Sequence, residues 1–153
     1  MGEFPGNHTV QLFTIGYEGK TIDSFLDRLV ETAIDVLVDV RQLPISRKKG
    51  FSKTRLQDRL EASGIDYLAM RELGTPKTLR ERLRIESDYP SFLAAYRQHL
   101  REQQGVLAKL ASILPGHSVC LMCYEADPLK CHRAEIVAEL RRECPKELEV
   151  QHL

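Results

Sequence analysis

Val36-Leu-Val-Asp-Val40 is a short run with a single polar side chain, rich in β-branched residues. A strand apolar on both faces needs cover on both sides, the condition of a parallel sheet between two helical layers. The residues before it read as a helix. Ile22, Phe25, Leu26, Leu29, Val30 and Ala33 recur at i, i+3, i+4, i+7 and i+8, and Thr21 stands where an N-cap belongs. Before that helix, residues 12–15 (Leu-Phe-Thr-Ile) read as a short buried strand ending at Gly16.

On the other side of Val40 lies the loop 41–50, then a helix over 52–63 with Gly64 placed to stop it, and a weaker third strand over 65–68. Residues 69–88 are charged and irregular. Helical patterns follow over 90–104 (Phe92, Tyr96 and Leu100 on one side) and after Gly105 (Leu107, Leu110, Leu114). A fourth strand is expected at 118–122, a last helix at 128–143 and a fifth strand at 148–151. Strands alternating with helices predict a Rossmann-like α/β fold, with a mostly parallel five-stranded sheet covered on both faces. The crossover rule leaves few strand orders, and 3-2-1-4-5 is the expectation, with a switch point between the first and fourth strands.

The bulk composition excludes several classes. At 153 residues the chain suits one domain, here 9–153, with the polar residues 1–8 expected to be a disordered leader or an expression remnant. Lysine plus arginine balances aspartate plus glutamate at 22 each, so nucleic-acid binding would need a local basic patch. No apolar run approaches the roughly 18 residues of a membrane span, and no secretory signal is visible. A cytoplasmic location without membrane association is the expectation. Of the four cysteines, Cys120, Cys123 and Cys131 crowd into twelve residues and Cys144 stands apart, which favours free thiols over a disulfide framework.

Chemistry concentrates in Leu121-Met-Cys-Tyr-Glu-Ala-Asp-Pro-Leu-Lys-Cys-His-Arg133, a strand-to-helix junction carrying two thiols, carboxylates, an imidazole and a guanidinium. With Asp127 as N-cap and Pro128 at N1, a helical wheel puts Leu129, Ile136, Val137 and Leu140 on the buried stripe, with Arg133 near its centre. Such an arginine needs a partner: Glu125, Glu18, Asp39 or a bound anion. Glu125 and Glu18 each follow a tyrosine (Tyr124, Tyr17) at a strand end and are the candidate general acids or bases. Cys123, near cations, is a candidate nucleophile. The Cys-x5-Arg loop of cysteine phosphatases and rhodanese-like proteins is absent, and the Cys120/Cys123 spacing falls on a strand, where i and i+3 face opposite ways, unlike a redox pair. Cys123, Cys131 and His132 are metal-ligand types, yet their spacing matches no common zinc pattern, so no metal residue is assigned. Arg41, two residues after Asp39, either grips an anion or pairs with Asp39 or another acid. Ser46, Arg47, Lys48, Lys49 and Lys53 make a basic loop, either solvated surface or the mouth of an anion site.

Taken together, Thr14-Ile-Gly-Tyr-Glu-Gly-Lys20, Asp39-Val-Arg41 with Pro44 and Ser46-Arg47, Leu73-Gly74, Leu121-Met-Cys-Tyr-Glu125 and Cys131-His-Arg133 resemble the bacterial and archaeal domain-of-unknown-function family 488. The resemblance implies an α/β fold and a shared polar site at Gly16, Tyr17, Glu18, Asp39, Arg41, Ser46, Cys123, Glu125, Cys131, His132 and Arg133. It brings no reaction and no cofactor. Tyr124 replaces a small residue expected in the Met-Cys-x-Glu motif, which would narrow the pocket. The functional expectation is a polar cleft for an anionic, phosphate-bearing ligand (a nucleotide or nucleic acid), in a hydrolase or transferase using carboxylate, arginine and conceivably Cys123. The alternatives are a non-catalytic nucleic-acid or partner-binding module and a Cys/His metal-dependent site.

Overall fold

The computed structural model describes residues 9–130, 132–144 and 147–153. Its strands are β1 (Val10–Gly16), β2 (Val36–Asp39), β3 (Asp66–Ala69), β4 (Val119–Cys123) and β5 (Leu148–His152). The helices are α1 (Ile22–Glu31), α2 (Lys53–Ala62), α3 (Lys77–Glu86), α4 (Tyr89–Arg101), α5 (Gln104–Ile113) and α6 (Arg133–Glu143). Every strand pairing is parallel. Thr21 caps α1 through the Ser24 amide while the Ser24 hydroxyl reaches back to the Thr21 amide, a reciprocal capping box. Gly64, at φ +76°, lets the chain leave α2 in a conformation that side chains with a Cβ resist.

Leu12, Val38, Val119 and Leu121 pack on one sheet face with Tyr96, Leu100, Leu107, Leu110, Ile136 and Leu140 from α4, α5 and α6. Phe13, Ile15, Leu37, Cys120 and Met122 pack on the other with Phe25, Leu29, Leu56 and Leu60 from α1 and α2. The three-layer α/β architecture is the expected one. The strand order is not: it runs β3-β2-β4-β1-β5, so β4 lies between β2 and β1, and β1 is the neighbour of β5. All five residues of β4 are buried, and it takes the centre of the sheet, while the β1–α1–β2 crossover passes over it. Apolar periodicity reports which faces are covered, not which strand lies alongside, so both orders satisfy the pattern equally.

Two further expectations are corrected. The segment 69–88 is not irregular: it contains a 3₁₀ turn at Arg71–Leu73 and the ten-residue α3. None of the α3 side chains is fully buried, which hides its helical period, but its charges alternate at helical spacing (Lys77 with Glu81, Arg82 with Glu86). The last α-helix starts at Arg133, not Pro128. Asp127 accepts from the Leu129 amide at 2.9 Å and caps a 3₁₀ turn at Pro128–Lys130 instead. Leu129 consequently leaves the buried stripe and is 83% exposed.

Gly16, at the end of β1, lies beneath the Glu125–Ala126 peptide, and a Cβ there would collide with the Glu125 carbonyl. Gly16→Ala should therefore cost about 1–3 kcal/mol of stability, the range of overpacking into fixed structure. Gly19→Ala, with open space around its Cβ position but φ at +76°, should cost only about 1 kcal/mol. Urea denaturation of both variants checks the contrast, and equal midpoints would contradict it.

Candidate functional site

The carboxyl ends of β2, β4 and β1 lie side by side, because Asp39 is level with Met122 and Gly16 with Cys123. The loops after β1 and β4 are zipped together. Tyr17 N donates to Cys123 O at 3.2 Å and Glu18 N to Tyr124 O at 2.8 Å. The dipeptide Glu125–Ala126 is then gripped from two sides. The Arg133 guanidinium donates to the Glu125 carbonyl at 2.8 Å and to the Ala126 carbonyl at 3.4 Å, while the Glu18 carboxylate accepts from the Ala126 amide at 3.3 Å. Arg133 also donates to the Thr14 hydroxyl, 3.3 Å away in β1. It is only 1% exposed, and burial lowers its pKa from the usual arginine value. Arg133 thus shares one peptide with Glu18, and the distant polar groups do converge. Both hold the loop in place.

At the end of β2 the alternative between anion grip and ion pair resolves as an ion pair. Arg41 binds the fully buried Asp39 carboxylate through Nε at 2.9 Å and Nη2 at 2.8 Å, and its Nη1 donates to Phe51 O at 2.7 Å and to the Tyr17 hydroxyl at 3.3 Å. The Tyr67 hydroxyl donates a 2.6 Å bond to Asp39 Oδ2, the oxygen that Arg41 Nη2 also binds. The Asp39 hydrogen bond and charge outweigh burial and hold the Arg41 pKa above its usual value, while burial first, and then Asp39, drives the Tyr67 phenol upward. The Tyr17 ring, stacked on Phe51 at 4.5 Å, lies 5.3 Å beneath the Arg41 guanidinium.

A cleft of about 380 Å³ opens between the loops after β2 and β4. Tyr17, Arg41, Cys123, Glu125 and His132 line one side. The opposite wall is Arg80, Leu83 and Arg84 of α3 with Tyr89 and Phe92 of α4, and Leu43, Ile45 and Tyr124 stand at the rim. The α4 wall is anchored by Tyr96, whose hydroxyl bonds Leu73 O, and by a bidentate Arg97–Glu135 pair at 2.8 and 3.0 Å. Arg80, Leu83, Arg84 and Tyr89 were not singled out from sequence, because the segment before Pro90 reads as irregular, and Phe92 was read only as part of a helical face. The spacing of Leu79 and Leu83, with the alternating charges, was the available signal.

Within the cleft, burial raises the pKa of Glu125 despite the opposing pull of the Arg133 charge, and the Glu18 charge adds to the rise. His132 donates from Nε2 to Val40 O at 3.0 Å and meets Tyr96 edge-on at 5.4 Å. Burial lowers its pKa to about 4, so the ring is neutral at pH 7. Cys123 is disulfide-bonded, which corrects the expectation of free thiols throughout. In that state it presents no thiolate, while Cys120 and Cys144 are free. Burial pushes the Cys120 thiol far above its ordinary pKa. Cys131 lies outside the described residues. Among those described, no group of three or more His, Cys, Asp or Glu side chains is placed to hold a metal ion.

Ser46 and Arg47 do not line this cleft. With Lys48, Lys49, Ser52, Lys53 and Arg55 they surround a second, open hollow of about 420 Å³. Ser46 ties that loop down: its amide donates to the Ser52 hydroxyl at 3.1 Å, and its own hydroxyl accepts from Lys48 N at 3.1 Å. Lys48 Nζ in turn reaches Tyr17 O at 3.0 Å, coupling the basic loop to the first strand's loop.

The neutral His132 makes stability depend on pH. Its folded pKa, about 4, lies below the unfolded value of 6.5, so the unfolded chain binds the extra proton and stability falls as pH drops through that window. Between pH 7.5 and 5.0 the loss attributable to His132 should be about 2 kcal/mol. Urea titrations at the two pH values should show His132→Asn losing about that much less than the unaltered protein. A pH dependence unchanged by the substitution would refute the assignment.

The family model for a domain of unknown function, DUF488, matches residues 21–140, which takes in β2, the cleft's far wall, β4 and most of α6 and leaves the Gly16-Tyr17-Glu18 turn just outside. No curated protein and no solved structure matches the chain. No helix among the described residues is long and apolar enough to cross a membrane. The chain belongs to the DUF488 family.

Proposed function

We propose that the cleft between the loops after β2 and β4 binds a nucleotide-class ligand, a planar base carrying phosphate, with Glu125 exchanging a proton with it in a hydrolytic or group-transfer reaction. The observation that carries this reading is the pairing of aromatic surface with exposed cations over a carboxyl of raised pKa. Tyr124 and Tyr89 are 49% and 42% exposed, and with Leu43 and Ile45 they make four of the seven exposed large apolar side chains among the described residues. The two tyrosine rings can stack on a base, at about 1–3 kcal/mol each. Arg84 and Arg80 supply the guanidinium groups for phosphate. The expectation drawn from sequence gave that task to Arg41, Arg133 and the basic loop of Arg47, Lys48, Lys49 and Lys53. Arg41 and Arg133 are engaged by Asp39 and by loop carbonyls, so their role is to shape the cleft.

Burial raises the Glu125 pKa above the ordinary carboxylate value, the direction that favours a role as proton donor and acceptor. The engagement of Arg41, Arg133 and Glu18 in internal bonds favours a second reading in which the same cleft binds its ligand without transforming it.

Calorimetric titration with the 5′-mononucleotides, followed by phosphorus NMR of the mixtures over hours, separates the possibilities. Saturable binding is expected, weakened about tenfold by Arg84→Ala, which removes a charge-assisted hydrogen bond, and weakened also by Tyr124→Ala. Glu125→Gln should retain binding and abolish turnover. Turnover absent from the unaltered protein, with binding intact, selects the non-catalytic reading. No binding of any mononucleotide overturns both.

A further inference from the structure

Between Asp39 and Asp58 the chain carries six cations and no acid, although its net charge is zero. Arg41 is consumed by Asp39, and the other five, Arg47, Lys48, Lys49, Lys53 and Arg55, surround the open hollow beside the cleft. Arg47, Lys49, Lys53 and Arg55 are exposed, and among the described residues none of them has an ion-pair partner. Lack of an ion pair is not in itself unusual here, since Arg28, Arg84 and Lys109 are also exposed and unpaired among the described residues; what sets the loop apart is that its cations gather around one hollow with no acid between Asp39 and Asp58. The basic loop is also fixed in place by Ser46, Ser52 and the Lys48 bond to Tyr17 O, so its charges are presented in a defined arrangement.

The hollow and the cleft are adjoining. Ile45 lines both, and its side chain, 67% exposed, forms the ridge between them. An anionic polymer whose terminal unit occupies the cleft would cross this ridge directly onto the unneutralised cations.

We propose that the ligand is the end of a single-stranded nucleic acid: the terminal nucleotide enters the cleft, and the following phosphates run over Ile45 along Arg47, Lys49, Lys53 and Arg55. The inference rests on the cleft reading above and deepens it from a nucleotide to a strand. Single strands fit better than duplex because the rim offers exposed tyrosines, whose rings stack on unpaired bases. The ordering of cations beside the aromatic wall, in a chain with no net charge, is what a free mononucleotide leaves unexplained.

The experiment compares a 5′-mononucleotide with single-stranded DNA and RNA octamers by fluorescence anisotropy and calorimetry at several salt concentrations. The protein is tested unaltered and with Lys49→Gln, Lys53→Gln and Arg55→Gln combined, positions away from the cleft whose exposed side chains leave folding undisturbed. An octamer is expected to bind at least about tenfold more tightly than the mononucleotide at low salt, with log affinity falling by about 0.7 per neutralised phosphate for each unit of log salt. The triple variant should lose most of that advantage and reduce the salt slope by about 2, while holding the mononucleotide as before. A protein that binds mononucleotides yet holds octamers no tighter, or a triple variant matching the unaltered protein on octamers, overturns the strand proposal alone. Binding of neither ligand overturns the cleft reading along with it. A difference between the DNA and RNA arms, with both above the mononucleotide, identifies the strand and supports the proposal.

Discussion

The site depends on one dipeptide being held still. Glu125–Ala126 rests on Gly16, where the missing side chain lets the β4 loop settle onto the end of β1. Arg133 pulls on its carbonyls from the base of α6, and Glu18 holds its amide from the first loop. A charge-assisted bond to a carbonyl is stronger than a neutral one, and burial of Arg133 makes an alternative arrangement expensive, because the guanidinium would lose those acceptors away from water. The result is a Glu125 side chain that leaves a fixed backbone toward the cleft, in surroundings that favour its protonated form.

A second fixed point stands one strand away. Asp39, Arg41, Tyr67 and Tyr17 form a buried polar cluster in which the ion pair is bidentate and the other groups satisfy the remaining donors and acceptors. His132 then links α6 to the end of β2 through Val40 O. The two polar clusters thus frame the space between β2 and β4 with rigid walls, and on the opposing side α3 is more loosely attached than α4, since no α3 residue is fully buried whereas Tyr96 and Leu100 of α4 are. Rigid chemistry on one side and a charged, exposed helix on the other is an arrangement suited to admitting a ligand against a prepared surface.

Much of this was legible in the chain. Strand positions, the Thr21 cap and the Gly64 stop are local matters of apolar period and backbone preference, and these appear where the residues indicate. The place of β4 in the sheet was not legible, because an all-apolar strand satisfies any central position. The gathering of Gly16, Tyr17, Glu18, Asp39, Arg41, Cys123 and Glu125 at neighbouring strand ends follows from the parallel sheet, and so was readable as a neighbourhood. Of their partners, the Arg41–Asp39 pair stood as one of two readings, and the others were not legible. Arg133 was placed in the buried stripe, yet besides the Thr14 hydroxyl its acceptors are backbone carbonyls, which every residue possesses and no sequence motif singles out. Likewise the far wall of the cleft came from α3, whose charged faces conceal its period, and the turn at Pro128 obeyed helix-start signals without continuing as an α-helix.

The most direct measurement is a map of amide chemical-shift changes on titrating isotope-labelled protein with a 5′-mononucleotide. The account predicts saturable changes concentrated at Tyr17, Leu43, Tyr124 and Glu125 on one wall and at Arg80, Arg84 and Phe92 on the other, with the buried faces of α1 and α5 unmoved. Absence of saturable change, or changes centred away from the space between β2 and β4, would contradict it.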